Sequence, residues 1–176
     1  MQFGGGIGSK ISIDEVAAHL WSLGELQFKL HAEQLAYEKF NQTHNQTINV
    51  FHCSRGFGKT WYFLCKLLSF AIKNPNSVQF YFTKTNKSAK TIVLPTFRLL
   101  TADAPKKLIQ YRDHDGKFII DNGAEILLMG CEDDPSKLRG PFAHNVVIDN
   151  AGFLKLVLRD YVVEDVCLDM VRRRNG

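Results

Sequence analysis

Cys53-Ser54-Arg55-Gly56-Phe57-Gly58-Lys59-Thr60 is the stretch that decides how the rest of the chain is read. It almost fits G-x-x-x-x-G-K-[ST], the spacing of a loop that cradles phosphate groups. Gly58, Lys59 and Thr60 hold the last three positions of that motif, and Cys53 stands at its first glycine. The spacing has a chemical reason. A strand, a tight glycine-containing loop and a helix N-terminus together turn a ring of backbone N–H groups toward phosphate oxygens. Lys59 is then placed to reach the β and γ phosphates and the Thr60 hydroxyl to hold Mg²⁺. Gly58 lets the backbone approach closely, and Gly56 adds freedom within the loop. A small side chain such as Cys53 is compatible with the turn while its φ stays negative.

The flanks supply the context such a loop needs. Thr47 to His52 (TINVFH) is β-branched and apolar and predicts a buried strand running straight into the loop. The segment TWYFLCKLLSFAIK after it is apolar on nearly every face, and a helix of that kind must be covered almost all round. The first helix of a three-layer α/β domain is covered in that way. Phosphate transfer also needs an acid at a neighbouring strand end. His144 to Asn150 predicts that strand, with Asp149 binding the metal through Thr60 or through water.

The remaining elements fall between these anchors. Ser12 and Glu15 form a capping box that opens a short helix through Trp21. Leu30 to Asn41 reads as a second helix, with Leu30, Leu35, Tyr37 and Phe40 as its buried positions. Ser77 to Thr83 is a strand, and Asn86 to Leu100 a helix broken near Pro95. Two apolar runs flanking Asp121-Asn122-Gly123 predict a β-hairpin. Leu158 to Arg173 is a closing helix. Strands alternating with helices predict an α/β fold, a three-layer sandwich around a mostly parallel central sheet. The division is a segment 1–29 carrying the short helix and a P-loop domain over 30–176.

Bulk properties narrow the class. The chain has 176 residues, 45% hydrophobic and 23% charged, which suits one globular domain. It contains no run of about 18 apolar residues, so no membrane span is expected. The four cysteines, Cys53, Cys65, Cys131 and Cys167, form no C-x-x-C pair, which argues against a metal or disulfide scaffold and for a reducing, cytosolic setting. A net charge of +4 permits a nucleic-acid partner without demanding one.

The ordered set of motifs resembles the ATPase motor of the large terminase subunit of tailed bacteriophages, over roughly Leu30 to Phe153. That family often carries an arginine early in its phosphate loop, as Arg55 stands in SRGFGKT. KLRGPFAHNVVIDNAGF resembles the family's segment in which an Arg-Gly pair precedes the acidic strand. Gln34, in LHAEQLAYEKF, sits where these motors carry an adenine-reading glutamine, whose amide pairs as donor and acceptor. The resemblance implies ATP held by Gln34 and the loop residues Ser54, Arg55, Gly56, Phe57, Gly58, Lys59 and Thr60. It implies Mg²⁺ on Thr60 and Asp149, and Arg55 or Arg139 stabilising the charge that develops on the γ-phosphate. It further implies packaging of double-stranded DNA in the host cell cytoplasm, with a portal protein, a small terminase subunit and a homo-oligomeric ring of five subunits as partners.

Two departures from the family pattern matter. The family has Glu after the metal-binding Asp, and this chain has Asn150. A neutral amide holds a water but does not take its proton, so ATP binding with slow or absent hydrolysis is expected. Asn150 is either an introduced trap for the bound state or a natural divergence with another base. The chain also stops at Gly176, where family members continue into a further core strand and a nuclease domain, so a C-terminally truncated fragment without nuclease activity is expected. Lys84, Lys87 and Lys90 follow the second strand; they read as a solvated face or as phosphate-gripping lysines turned to DNA. Arg172 to Arg174 read as charge compensation at a helix end. Two other readings stay open: a helicase-type motor lobe, and a nucleotide-binding module that does not hydrolyse.

Overall fold

The computed structural model describes residues 12–44, 48–132, 138 and 142–172. Its centre is a five-stranded sheet in the order β2-β3-β4-β1-β5. The strands are β1 (Val78–Thr83), β2 (Ile109–Arg112), β3 (Lys117–Ile120), β4 (Glu125–Gly130) and β5 (Asn145–Ile148). β1 runs parallel to both β4 and β5, while β2 and β3 add an antiparallel edge. The α/β expectation therefore holds, with the parallel part formed by the three strands nearest the motif residues.

Two cores lie on opposite faces of this sheet and make the three layers. On one face α3 (Lys59–Lys73) and the helix over 86–100 pack Leu64, Leu68, Phe97 and Leu100 against Tyr81, Phe118 and Ile126. On the other the helix over 156–172 packs Val162, Val166 and Met170 against Phe80 and Phe82. The alternation Phe80-Tyr81-Phe82 feeds both cores because successive strand side chains point to opposite faces. Every residue of α3 from Lys59 to Ile72 is at least partly buried, as its all-round apolar sequence requires. Trp21, at the end of α1 (Ile13–Ser22), joins the first core. The capping box that starts α1 is present: Glu15 N–H donates to Ser12 Oγ at 3.1 Å, and Ser12 N–H donates to Glu15 Oε2 at 2.8 Å.

The hairpin forms where Asp121-Asn122-Gly123 predicts it, with Ile119 opposite Glu125. Asn122 also donates to the carbonyls of Ala71 and Ile72, each at 2.9 Å, so the turn satisfies acceptors at the C-terminal end of α3. The α-helical pattern over 86–100 is interrupted just before Pro95, near the expected break, although the chain stays helical. A π-helical turn over Ala89–Val93 accommodates the residue that lacks an N–H, and the helix resumes as Leu94–Leu100. A similar π turn, Tyr161–Cys167, lies within the closing helix.

Two expectations are corrected, and one element is added. The first is the strand over Thr47 to His52: residues 48–52 have no ladder partner, and Thr47 lies outside the described residues. Ile48 and Val50 are 56% and 90% exposed. Phe51 leaves the sheet instead and packs among the rings of Tyr37, Phe57, Tyr62 and Phe63. The second is the inward face of α2 (Ala32–His44). Phe40 is 59% exposed and Leu35 only half-buried, while Leu30, just before α2, packs on the first core and Tyr37 against Phe51 and Tyr62. The buried pair is Gln34 and Glu38, one helical turn apart, because polar acceptors and donors on α3 and the 53–58 loop meet them there. The added element is β2, a short edge strand that sequence reasoning does not predict; its four residues alternate with a weak apolar face.

Candidate functional site

The 53–58 loop reaches α3 through two residues with positive φ, Gly56 at 89° and Gly58 at 76°. A Cβ on Gly56 would meet nothing within 4 Å, whereas one on Gly58 would lie 2.8 Å from Gln34 Nε2. Gly58 is thus required by conformation and by space, Gly56 by conformation alone. Gly58 is also the cap of α3, which takes no side-chain hydrogen bond at its start and has no acidic residue in its first turn. The leading N–H groups and the helix dipole are left to face whatever lies in front of the loop.

Gln34 holds that loop from behind. It is 1% exposed, and its Nε2 donates to the carbonyls of Phe57 at 2.9 Å and Gly58 at 3.2 Å. Its Oε1 accepts the His31 N–H at 3.2 Å. Both amide hydrogens are spent on loop carbonyls. His31 Nε2 lies 2.9 Å from the same Phe57 carbonyl, its ring meets Phe57 edge-on, and its Nδ1 is 2.7 Å from Glu33. Lys59 folds back over the loop, with Nζ 3.4 Å from the carbonyls of Cys53 and Ser54. Ser54 and Arg55 are exposed and Phe57 is half-buried.

One turn behind Gln34, Glu38 accepts from Tyr62 Oη and Lys66 Nζ, each at 2.6 Å, and from Gln42 at 3.1 Å. Burial pushes the Glu38 carboxyl up, but the Lys66 ammonium and the Tyr62 and Gln42 donors outweigh it, so the carboxyl titrates below its ordinary value. This cluster ties α2 to α3 and so fixes the platform on which Gln34 stands.

The acidic strand completes the site. Asp149 follows β5 and is 8% exposed. Its Oδ2 accepts from Thr60 Oγ1 at 3.2 Å, across 89 residues of sequence. The same oxygen accepts from Tyr81 Oη at 3.0 Å. Burial, with the Asp149 charge beside it, raises the Tyr81 phenol well above its ordinary range, so it stays protonated and donates. Asn150 follows in the left-handed region at φ 56° and ψ 40°, with an exposed side chain. Asn is among the few residues that adopt this conformation readily. Arg139 lies outside the described residues, as do residues 173–176 and the basic run beyond Arg172. Lys84, Lys87 and Lys90 are exposed, Lys84 with Glu132 at 3.7 Å.

The structure therefore brings Gln34, Phe57, Gly58, Lys59, Thr60, Asp149 and Asn150 to one end of α3. Sequence reasoning missed His31, Glu38, Tyr62 and Tyr81. Polar residues at i and i+4 on α2, and a tyrosine inside an apolar strand, were the available signals, since a buried phenol needs a partner. The hydroxyl and carboxylate oxygens of Thr60 and Asp149 suit a hard cation such as Mg²⁺. Among the described residues no three His, Cys, Asp or Glu side chains cluster as a metal cage. Magnesium bound with substrate phosphates uses only one or two carboxylates, so this donor set fits it. Among the described residues no helix is long and apolar enough to cross a membrane.

Comparison with known proteins agrees with this layout. A family described as terminase large subunit, T4-like-virus type, N-terminal, matches residues 50–156, more than half of the chain. Among solved structures, the large terminase ATPase domain of Thermus phage P74-26 aligns with a TM-score of 0.62 at 19% identity, covering 95% of this chain and 67% of that one. An arginine-to-alanine mutant of the same domain aligns with a TM-score of 0.60 at 18% identity and the same coverage. At such identities the likeness concerns the fold. No curated protein matches the chain in sequence.

Proposed function

We propose, because this chain belongs to the T4-like-virus-type family of large terminase subunits, that it binds ATP with Mg²⁺ at the start of α3 and is part of a motor that packages double-stranded DNA. The observation that carries this reading is the 3.2 Å contact between Thr60 Oγ1 and Asp149 Oδ2 at the uncapped start of α3. A hydroxyl and a carboxylate converge there in front of N–H groups that face outward, the arrangement that phosphate and its cation require.

Each residue then has a task. The N–H groups of the loop and of the first turn of α3 bind phosphate oxygens, and Gly58 keeps the approach open. Lys59 gives up the Cys53 and Ser54 carbonyls for the β and γ phosphates. Thr60 and Asp149 hold the cation, which when bound neutralises charge on the transferred phosphoryl group. Gln34 clamps the loop; an adenine edge would have to take its amide from Phe57 and Gly58. Arg55 is exposed on the loop and free to swing toward the γ-phosphate, and Arg139 keeps the same role as a candidate. Asn150 orients a water without taking its proton, which makes hydrolysis slow. The exposed Lys84, Lys87 and Lys90 offer contacts to DNA phosphates that carry no sequence information. A portal protein, a small terminase subunit and a ring of five copies in the host cytoplasm complete the assembly in this reading.

A second reading rests on Asn150 alone: a module that binds nucleotide and does not turn it over. Titrating a fluorescent ATP analogue with and without Mg²⁺, beside a phosphate-release assay, separates the two. Binding that Mg²⁺ tightens and Lys59→Ala weakens supports the site; binding indifferent to Lys59→Ala refutes it. Measurable release favours the motor, and its complete absence favours the second reading.

A further inference from the structure

The hydroxyl of Tyr81 is not explained by packing alone. Tyr81 lies at the middle of the sheet, on β1 between β4 and β5, opposite Val147 in the ladder, and is 0% exposed. Asp149 is two residues beyond Val147, so Tyr81, Val147 and Asp149 project to the same side of the sheet, the side on which α3 carries Thr60. The phenol reaches along this side to Asp149 Oδ2 at 3.0 Å. Thr60 Oγ1 reaches the same oxygen at 3.2 Å. Two hydroxyls from two different layers therefore converge on one carboxylate oxygen. Asp149 Oδ1 takes no hydrogen bond among the described residues.

A carboxylate at the end of a strand has two side-chain torsions to lose before it can hold a cation in one place. The Thr60 hydroxyl cannot fix it for that purpose, because Thr60 is itself a candidate ligand and must turn toward the cation. Tyr81 can, since its ring is locked in the core and its only polar atom points at Asp149. We infer that Tyr81 is a positioning residue of the cation site, holding the Asp149 carboxylate so that its remaining lone pairs face a magnesium ion. The inference deepens the reading of Thr60 and Asp149 given above and rests on it. A purely architectural tyrosine, which found the nearest acceptor for a buried hydroxyl, is the competing account.

Tyr81→Phe removes one oxygen and keeps the ring. The probe is Mg²⁺ itself, titrated at a fixed concentration of a fluorescent, non-hydrolysable ATP analogue, with analogue affinity in EDTA as the reference. Partners that orient a metal ligand typically change metal affinity by about 10- to 100-fold. Tyr81→Phe should therefore raise the Mg²⁺ concentration needed for half-maximal tightening by about 10-fold or more. Affinity in EDTA should not change. In an Asp149→Ala background the same substitution should leave the Mg²⁺ curve where it was, because the group it positions is gone. A Tyr81→Phe protein that is only less stable to urea, with an unshifted Mg²⁺ curve, overturns the inference while leaving the site intact. A parent chain whose analogue binding ignores Mg²⁺, or an Asp149→Ala variant that keeps the parent curve, overturns the site and the inference with it. Should Tyr81→Phe not fold, Tyr81→Met removes the same hydroxyl and is read in the same way.

Discussion

Replacing Gly58 by alanine tests the geometry of the loop more directly than any ligand study, because the structure separates its two effects. The first is conformational. At φ 76° a residue with a Cβ sits in the left-handed region, which costs about 1–2 kcal/mol relative to glycine. The second is spatial. The new Cβ would lie 2.8 Å from Gln34 Nε2, so the amide must move away. It then loses its bonds to the Phe57 and Gly58 carbonyls, each worth about 1 kcal/mol. The total is about 3–4 kcal/mol. Gly56→Ala is the internal control: its φ is 89°, its Cβ meets nothing within 4 Å, and only the conformational cost of about 1–2 kcal/mol applies. Urea unfolding followed by circular dichroism should therefore separate the two alanines by about 2 kcal/mol, which is about 30-fold in the unfolding constant. Adding Gln34→Ala to Gly58→Ala should cost less than the sum of the single changes, since the clash is then already relieved. Equal destabilisation by Gly56→Ala and Gly58→Ala, or strict additivity with Gln34→Ala, would refute the claim that Gln34 clamps the loop against Gly58.

Asn150→Glu should raise phosphate release by about 10²- to 10⁴-fold by supplying a proton acceptor. It should also cost about 1–2 kcal/mol of stability, because Glu is strained at φ 56° where Asn is tolerated. Unchanged turnover in a folded Asn150→Glu protein would end the assignment of that position as the base. The Glu38 cluster predicts a pH dependence. Its carboxyl titrates lower in the folded chain than in the unfolded one, so the stability it contributes is present above the ordinary carboxylate range and is lost as pH falls through the depressed value. Urea midpoints should therefore drop between neutral and acid pH, and a Glu38→Gln variant should show a shallower drop; identical slopes would remove Glu38 from the account. Phe97→Ala, at a fully buried residue stacked on Phe118, should destabilise the chain by about 3–5 kcal/mol in the same assay, and a loss below about 1 kcal/mol would mean that the core is not packed as described.

Much of this molecule is legible in short windows. The capping box of Ser12 and Glu15, the all-round apolar helix after Thr60, the Asn-Gly turn and the apolar run ending at Asp149 each depend on neighbours a few residues away, and each appears where it is expected. The meeting of Thr60 with the distant Asp149 is legible for the same reason, since the motif encodes a local geometry that needs only one partner strand. What the windows do not contain is the choice among partners. Residues 48–52 carry a strand pattern, yet Phe51 gains more from four aromatic rings than from a ladder, and those rings come from α2, the loop and α3. Apolar positions on α2 do not reveal its most buried pair, because the loop carbonyls that satisfy Gln34 lie 23 and 24 residues away and the ammonium that satisfies Glu38 lies 28 residues away. The meeting of Tyr81 with Asp149 follows from the register of β1 on β5, a property of neither strand alone. Backbone propensity and motif spacing act over a few bonds and are written in the chain itself; the pairing of buried polar atoms is settled only when distant segments are brought into one low-dielectric space, where each must find a partner.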